Sequence, residues 1–232
     1  MIKLRKAAAR GFADHGWLRT YHSFSFADYY DPEQMGFRTL RVINEDFVAG
    51  GGGFPMHGHR DMEIITYVID GVLEHKDSHG NSLLIHPGEV QRMSAGTGVR
   101  NSEFNHSPDQ PVHLLQIWIL PRKNGLKFSY KQKSFVKLMQ EQKLVLIASG
   151  EPREGAVSIA QDVDVFSGHV RAQESLQYAA MADRGLWLQM IKGCGQVDGF
   201  DVSAGDGLAM TDTSKFQFSA TEDSEFLLFD LA

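Results

Sequence analysis

A single cysteine, seven prolines and no apolar run of membrane-spanning length set the first limits on this 232-residue chain. Cys194 has no partner within the chain, which excludes an intramolecular disulfide framework and points to a reducing compartment. A bilayer helix needs about 18 or more consecutive apolar residues, and none is present, so no membrane partner is expected. Basic residues do not predominate: 23 Lys+Arg stand against 29 Asp+Glu, a formal net charge of −6. Direct nucleic-acid binding rests on neutralised phosphates and is not expected of such a chain. The basic first ten residues lead into no apolar core, so a secretory signal is not expected either, and the chain reads as cytoplasmic. What is there is ordinary for a folded globule, 42% hydrophobic and 22% charged. A chain this long buries roughly 70–75% of its unfolded surface and needs neither disulfide nor metal to fold.

Twenty-three glycines and few long helical stripes point to short strands joined by turns. Apolar or β-branched runs bounded by breakers occur at residues 39–43, 63–69, 71–75, 82–85, 89–94 and 113–120. A second series lies at 186–191, 196–202, 207–210, 216–220 and 225–231. Asp70-Gly71, Gly80-Asn81, Pro87-Gly88 and Asp198-Gly199 supply the turns; Asp-Gly suits hairpins and Pro-Gly suits a type II turn. The spacing predicts a sandwich or barrel. Only 131–142 offers a short helix, with Phe135, Leu138 and Met139 on one side. The two series align as a repeat, Gly71 over Gly193 and Gly88 over Gly205, with residues 113–120 answered by 225–231.

The chemistry gathers in one stretch. Residues 51–67 carry His57 and His59 as His-x-His at the start of a strand, and alternate strand residues share a face. Two imidazoles so placed can meet one ion at about 2.0–2.1 Å. A chain with ten histidines also produces such pairs as surface decoration. Glu63 has the same parity and is expected further along that face. Downstream, Asn101, Glu103 and Asn105 alternate on one face, with His106 on the other. The Gly-rich lead-in, the turns and the second strand with its carboxylate together describe a metal site inside a small barrel. His75, His79 and His86 read as hairpin or turn residues, while His15, His22, His113 and His169 carry no motif.

These residues resemble the pirin family of bicupins. The matching strings are Phe24-Ser-Phe-Ala-Asp-Tyr-Tyr-Asp-Pro, Met35-Gly-Phe, Leu40-Arg-Val-Ile-Asn and His57-Gly-His-Arg-Asp-Met-Glu-Ile-Ile-Thr-Tyr-Val. They continue with His75-Lys-Asp-Ser-His-Gly-Asn, Pro87-Gly-Glu-Val-Gln-Arg-Met-Ser-Ala-Gly-Thr-Gly and Ser102-Glu-Phe-Asn, covering most of the first 120 residues in order. The resemblance implies an all-β bicupin of two stacked cupin (jelly-roll-type) barrels with few short helices. Residues 1–130 would form the barrel with the metal site and 131–232 a barrel without one. It also implies His57, His59 and Glu103 as ligands of one mononuclear divalent metal, Fe(II) first, with Ni, Zn, Mn, Cu or Co as alternatives.

One departure stands out. The family's further histidine ligand, two residues before the glutamate, is Asn101 here. Two histidines and one carboxylate remain, the ligand set of non-heme Fe(II) oxygenases. Asn101 Oδ1 or a water would take the vacated position; relocation to His106 needs a bulge, because its parity is wrong. Glu63 is a candidate acceptor for the N–H of a ligating imidazole or a base, and Glu103 the candidate base. In the carboxy half, His57 and His59 align with Ala179 and Met181, which leaves no site. Trp118, Trp187, Phe226 and Phe229 read as packing residues. Two functions follow from the resemblance. One is a dioxygenase opening flavonols such as quercetin with dioxygen. The other is a non-catalytic metal- or redox-sensing regulator acting through a protein partner.

Overall fold

The strand Glu63–Asp70 is apolar on both faces apart from its ends, and it runs through the middle of a seven-stranded antiparallel sheet. The computed structural model describes residues 1–151, 153–213 and 215–232, at 57% strand and 4% helix. That composition and the sheet topology are those of a bicupin. The central sheet orders its strands Ser129–Ser134, Glu89–Ser94, Glu63–Asp70, Val112–Ile119, Leu40–Val48, Leu18–His22 and Gly11–Asp14. A four-stranded sheet, Gly53–His59, Val99–Asn105, Leu73–Asp77 and Ser82–Ile85, completes this barrel. Gly71 closes the turn after the central strand with φ +81°, where an added Cβ would lie 2.9 Å from the Pro111 carbonyl oxygen.

The carboxy-terminal barrel repeats the order. Strands Ile2–Arg5, Gly207–Met210, Gly185–Lys192, Ser224–Leu231, Val163–Val170 and Leu144–Ser149 lie side by side in its larger sheet. Ser175–Ala179, Lys215–Ala220, Cys194–Val197 and Phe200–Ser203 form the smaller one. Gly193 and Gly205 hold positive φ at the turns aligned with Gly71 and Gly88.

The division into units differs from the expected break at residue 130. One unit comprises Gly11–Val136 with Val157–Gln161; the other comprises Met1–Arg10, Lys137–Ala156 and Asp162–Ala232. The reason is edge pairing: Ile2–Arg5 pairs along its length with Gly207–Met210, so the first residues complete the second barrel. The helix expected at 131–142 is shorter, Val136–Glu141. Its first residues instead form the edge strand Ser129–Ser134 against Glu89–Ser94, where ladder hydrogen bonds override a weak helical stripe. The run at 196–202 is likewise two strands, split at the Asp198-Gly199 turn.

The two interiors are chemically different. The second barrel is filled by Leu186, Leu188, Met190, Phe216, Phe218 and Phe226 among others. Ala179 ends a strand there and Met181 is exposed, so the positions aligned with the histidine pair bring no donor to that interior. Trp187, Phe226 and Phe229 are buried as packing residues. The first barrel holds smaller apolar clusters, such as Leu18, Val48, Val68, Leu73 and Ile85, and keeps a cavity between its sheets.

Candidate active site

The cavity has a volume of about 500 Å³ and its wall carries His57, His59, Asn101 and Glu103. Backbone register brings them together. Asn101 pairs with His57 and Val99 with His59, and the ladder slips between Asn101 and Glu103 so that Glu103 pairs with Phe54. Three steps on the histidine strand thus match two on its neighbour, a bulge. Pro55 lies within it, where its missing N–H is tolerated. The bulge reverses parity, so Phe54 reaches the cavity together with His57 and His59. Gly53 permits the close approach, since a Cβ there would lie 2.5 Å from the Glu103 carbonyl oxygen.

The two imidazole rings are 4.7 Å apart between centroids, nearly perpendicular. His57 Nδ1 is 2.8 Å from the Pro55 carbonyl oxygen, so it carries the proton and leaves Nε2 as the lone-pair nitrogen. Burial, then the neighbouring His57 and His75, push the His59 imidazole down to about 4, which keeps it neutral. Its ring meets Trp118 edge-on at 5.0 Å. Asn101 Oδ1 is buried and has no hydrogen-bond partner among the described residues. The Glu103 carboxylate accepts from Gln116 Nε2 at 2.9 Å, and the Thr66 hydroxyl lies 3.3 Å away.

This donor set fits a divalent cation: two imidazoles, a carboxylate and an orphaned amide oxygen on one wall. It is a loose set. Among the described residues no three His, Cys, Asp or Glu groups converge as a metal cage. Asn101 stands in one donor position, and Glu103 is drawn to Gln116 and Thr66.

Glu63 is not part of this wall. Its neighbour Ile64 lines the cavity, so strand alternation turns Glu63 to the opposite face of the sheet. There its carboxylate accepts from Ser94 Oγ at 2.8 Å and the Ala160 N–H at 3.1 Å. Burial raises its proton affinity, opposed by those two donors and by Arg92. The parity inferred from His57 and His59 fails because the turn after His59 starts a new strand. His106 is exposed and absent from the cavity wall, so it is not placed to replace Asn101.

Several wall residues carried no motif. Thr20, His22, Asn44, Asp46 and Gln116 come from three adjacent strands of the large sheet, and Trp17, Phe26, Phe54 and Trp118 supply aromatic surface. Trp118, read from sequence as packing, is therefore a cavity residue. His75, read as a hairpin or turn residue, lies fully buried on the hairpin strand Leu73–Asp77, in register with Glu103. Gln91 Nε2 lies 3.3 Å from its Nδ1, and Asp77 Oδ2 lies 3.5 Å from its Nε2. Burial pushes the Asp46 carboxyl up to about 7, opposed by the Thr20 hydroxyl and reinforced by Glu103 and Glu45. The one available signal was the presence of polar residues, Asn44, Glu45 and Asp46 in 40–48 and Gln116 in 112–119, inside runs otherwise largely apolar.

Residues 3–119 match the family model described as Pirin, and residues 146–231 match the one described as Quercetinase C-terminal cupin domain. A protein named quercetin 2,3-dioxygenase from Escherichia coli K12 is 46% identical over 231 residues, covering 100% of this chain and 99% of that protein. The crystal structure of the bacterial pirin YhhW from E. coli in complex with nickel(II) superimposes with a TM-score of 0.95 at 46% identity, covering 100% and 99% of the two chains. A quercetin 2,3-dioxygenase structure from Acinetobacter baumannii shares the fold at 18% identity, with a TM-score of 0.78 over 99% of this chain and 85% of that one. Motifs, double-barrel topology and full-length similarity agree: the chain belongs to the pirin family.

Proposed function

We propose that this protein is a metal-dependent dioxygenase that opens the heterocyclic ring of a flavonol such as quercetin with dioxygen. The observation that carries the reading is the cavity itself: aromatic walls enclose two imidazoles and a positioned carboxylate. Full-length relatedness to a protein named quercetin 2,3-dioxygenase supports the same reaction. His57, His59 and Glu103 would hold one divalent ion, with Asn101 Oδ1 or a water beside them. Fe(II) suits a two-histidine, one-carboxylate set, and the nickel complex of the E. coli relative makes Ni(II) a second candidate. A bound ion would supply Lewis acidity toward a chelating hydroxy-ketone.

The protein's own groups do the rest. Glu103 is the proton acceptor for the substrate hydroxyl, which it must approach within about 2.6–3.2 Å. Gln116 and Thr66 orient that carboxylate. Trp118 and Phe26, 5.3 Å apart and edge-on, together with Phe54, offer flat apolar surface to an aromatic ring and exclude water.

The test is protein purified without added metal, then reconstituted anaerobically with Fe(II) or Ni(II). Quercetin consumption coupled to dioxygen uptake should scale with metal content and vanish in His57→Ala. A fully loaded protein without turnover would overturn the enzyme reading and favour a metal-sensing regulator.

A further inference from the structure

The cavity wall built by Leu18–His22 and Leu40–Val48 carries buried polar oxygens that no donor reaches in hydrogen-bond geometry among the described residues. Asn44 Oδ1 and Asp46 Oδ1 are both buried, both line the cavity, and neither has a hydrogen-bond partner among the described residues. Thr20 pairs across the ladder with Asp46, and its hydroxyl faces that carboxyl without reaching hydrogen-bond geometry to it. A buried polar group left unpaired costs stability, so two such oxygens on one wall call for donors from a ligand.

We propose that Asn44 and Asp46, with Thr20 beside them, form a hydroxyl-reading wall that takes a substrate ring bearing vicinal hydroxyl groups. The inference rests on the flavonol reading and assigns the pendant ring its place. Chemistry limits the occupant. A wall with the carboxyl groups of Asp46 and Glu103 and the amide oxygen of Asn44 disfavours an anionic ring. It suits a neutral ring with two adjacent O–H donors. Distance is consistent. Asn44 lies in register with Gln116, which donates to Glu103, and the Thr20 strand is one further along the sheet. Two strand spacings are roughly 10 Å, the reach of a bicyclic hydroxy-ketone carrying a pendant phenyl ring. The hydroxy-ketone would then face the histidine wall while the pendant ring meets Asn44 and Asp46.

The test uses 3-hydroxyflavones that differ only on the pendant ring: 3′,4′-dihydroxy (quercetin), unsubstituted (galangin) and 3′,4′-dimethoxy. Binding is read by quenching of intrinsic tryptophan fluorescence in metal-loaded protein, alongside kcat/KM. Wild type should bind the dihydroxy compound about tenfold or more tighter than the unsubstituted one, and the dimethoxy compound weakest of all. Asn44→Leu and Asp46→Leu should erase most of that preference, read within each variant as the ratio of quercetin to galangin affinity. The wild-type series needs no variant to fold. Equal binding of the three compounds by wild type overturns the hydroxyl-reading wall alone. So does an equal loss for every compound in both variants, which would mark Asn44 and Asp46 as cavity structure. Failure of all three to bind overturns the flavonol reading together with it.

Discussion

Asn101 and a neutral histidine carry the same charge, so their exchange leaves the formal charge of the metal wall unchanged and alters only donor strength. An amide oxygen is a poorer ligand than imidazole for a borderline ion, and the unpartnered Oδ1 shows that nothing else in the barrel has claimed it. Asn101→His should raise affinity for Ni(II) or Fe(II) by about tenfold, ~1.4 kcal/mol, read by competitive chelator titration beside wild type. Equal affinities would mean that Asn101 is already a full ligand. Asp46 gives a second expectation. Its folded-state affinity for a proton is raised to about 7 from an unfolded value of 3.8. Between those values the folded protein binds more protons than the unfolded chain, so this group's contribution to stability falls as pH rises from about 4 to about 7. Asn at this position does not ionise. Metal-free Asp46→Asn should therefore gain unfolding free energy relative to wild type across that window, reaching a few kcal/mol once Asp46 is fully ionised and read as a melting-temperature difference that widens with pH. A pH-independent difference between the two would contradict the assignment.

At the scale of the element, strand alternation decides which polar residues meet the cavity. Residues 82–85 and 89–94 form strands where the sequence places them, and the Gly71 and Gly88 turns fall as read. The legible part was the part carried by continuous apolar runs, turn glycines and a tight motif such as His-x-His. Edge strands were not legible: Ile2–Arg5 is short, part-polar and paired with Gly207–Met210 far along the chain, and Gly11–Asp14 is a short, part-polar hairpin partner of Leu18–His22. The apolar strand Leu144–Ser149 also went unread. Asp46 and Gln116 escaped for a related reason, because a polar residue or a short polar stretch inside an apolar run says nothing of which face it meets until neighbouring strands are aligned. Glu63 shows the opposite error, since parity cannot be carried through a turn. Its carboxylate ties the Glu63–Asp70 strand to Ser94 and to the returning segment at Ala160. Glu63→Ala should cost about 1–3 kcal/mol by removing hydrogen bonds to a buried carboxylate. It should leave chelator-measured Ni(II) affinity at the wild-type value, and a large loss of affinity would return Glu63 to the site.

At the scale of the whole chain, one topology is used twice with opposite interiors. In the second barrel Phe216, Phe218 and Phe226 close the core, as a β-barrel needs if it is to hold nothing. In the first, the space between sheets is spent on Thr20, Asn44, Asp46, Asn101, Glu103 and His59, groups that cost stability when buried and empty. A ligand that binds only the folded state returns part of that cost, about 2.7 kcal/mol at a hundred times its dissociation constant. Each unit closes its own apolar cluster, so the gain should stay where the donors are. Hydrogen exchange with and without saturating Ni(II) measures this directly. Amides of Gly53–His59, Val99–Asn105 and the adjoining Glu63–Asp70 should gain protection, while Gly185–Lys192 and Ser224–Leu231 should exchange at unchanged rates. Protection rising equally in both barrels would show that they open as one cooperative body. Protection rising only in the second would place the metal away from His57 and His59.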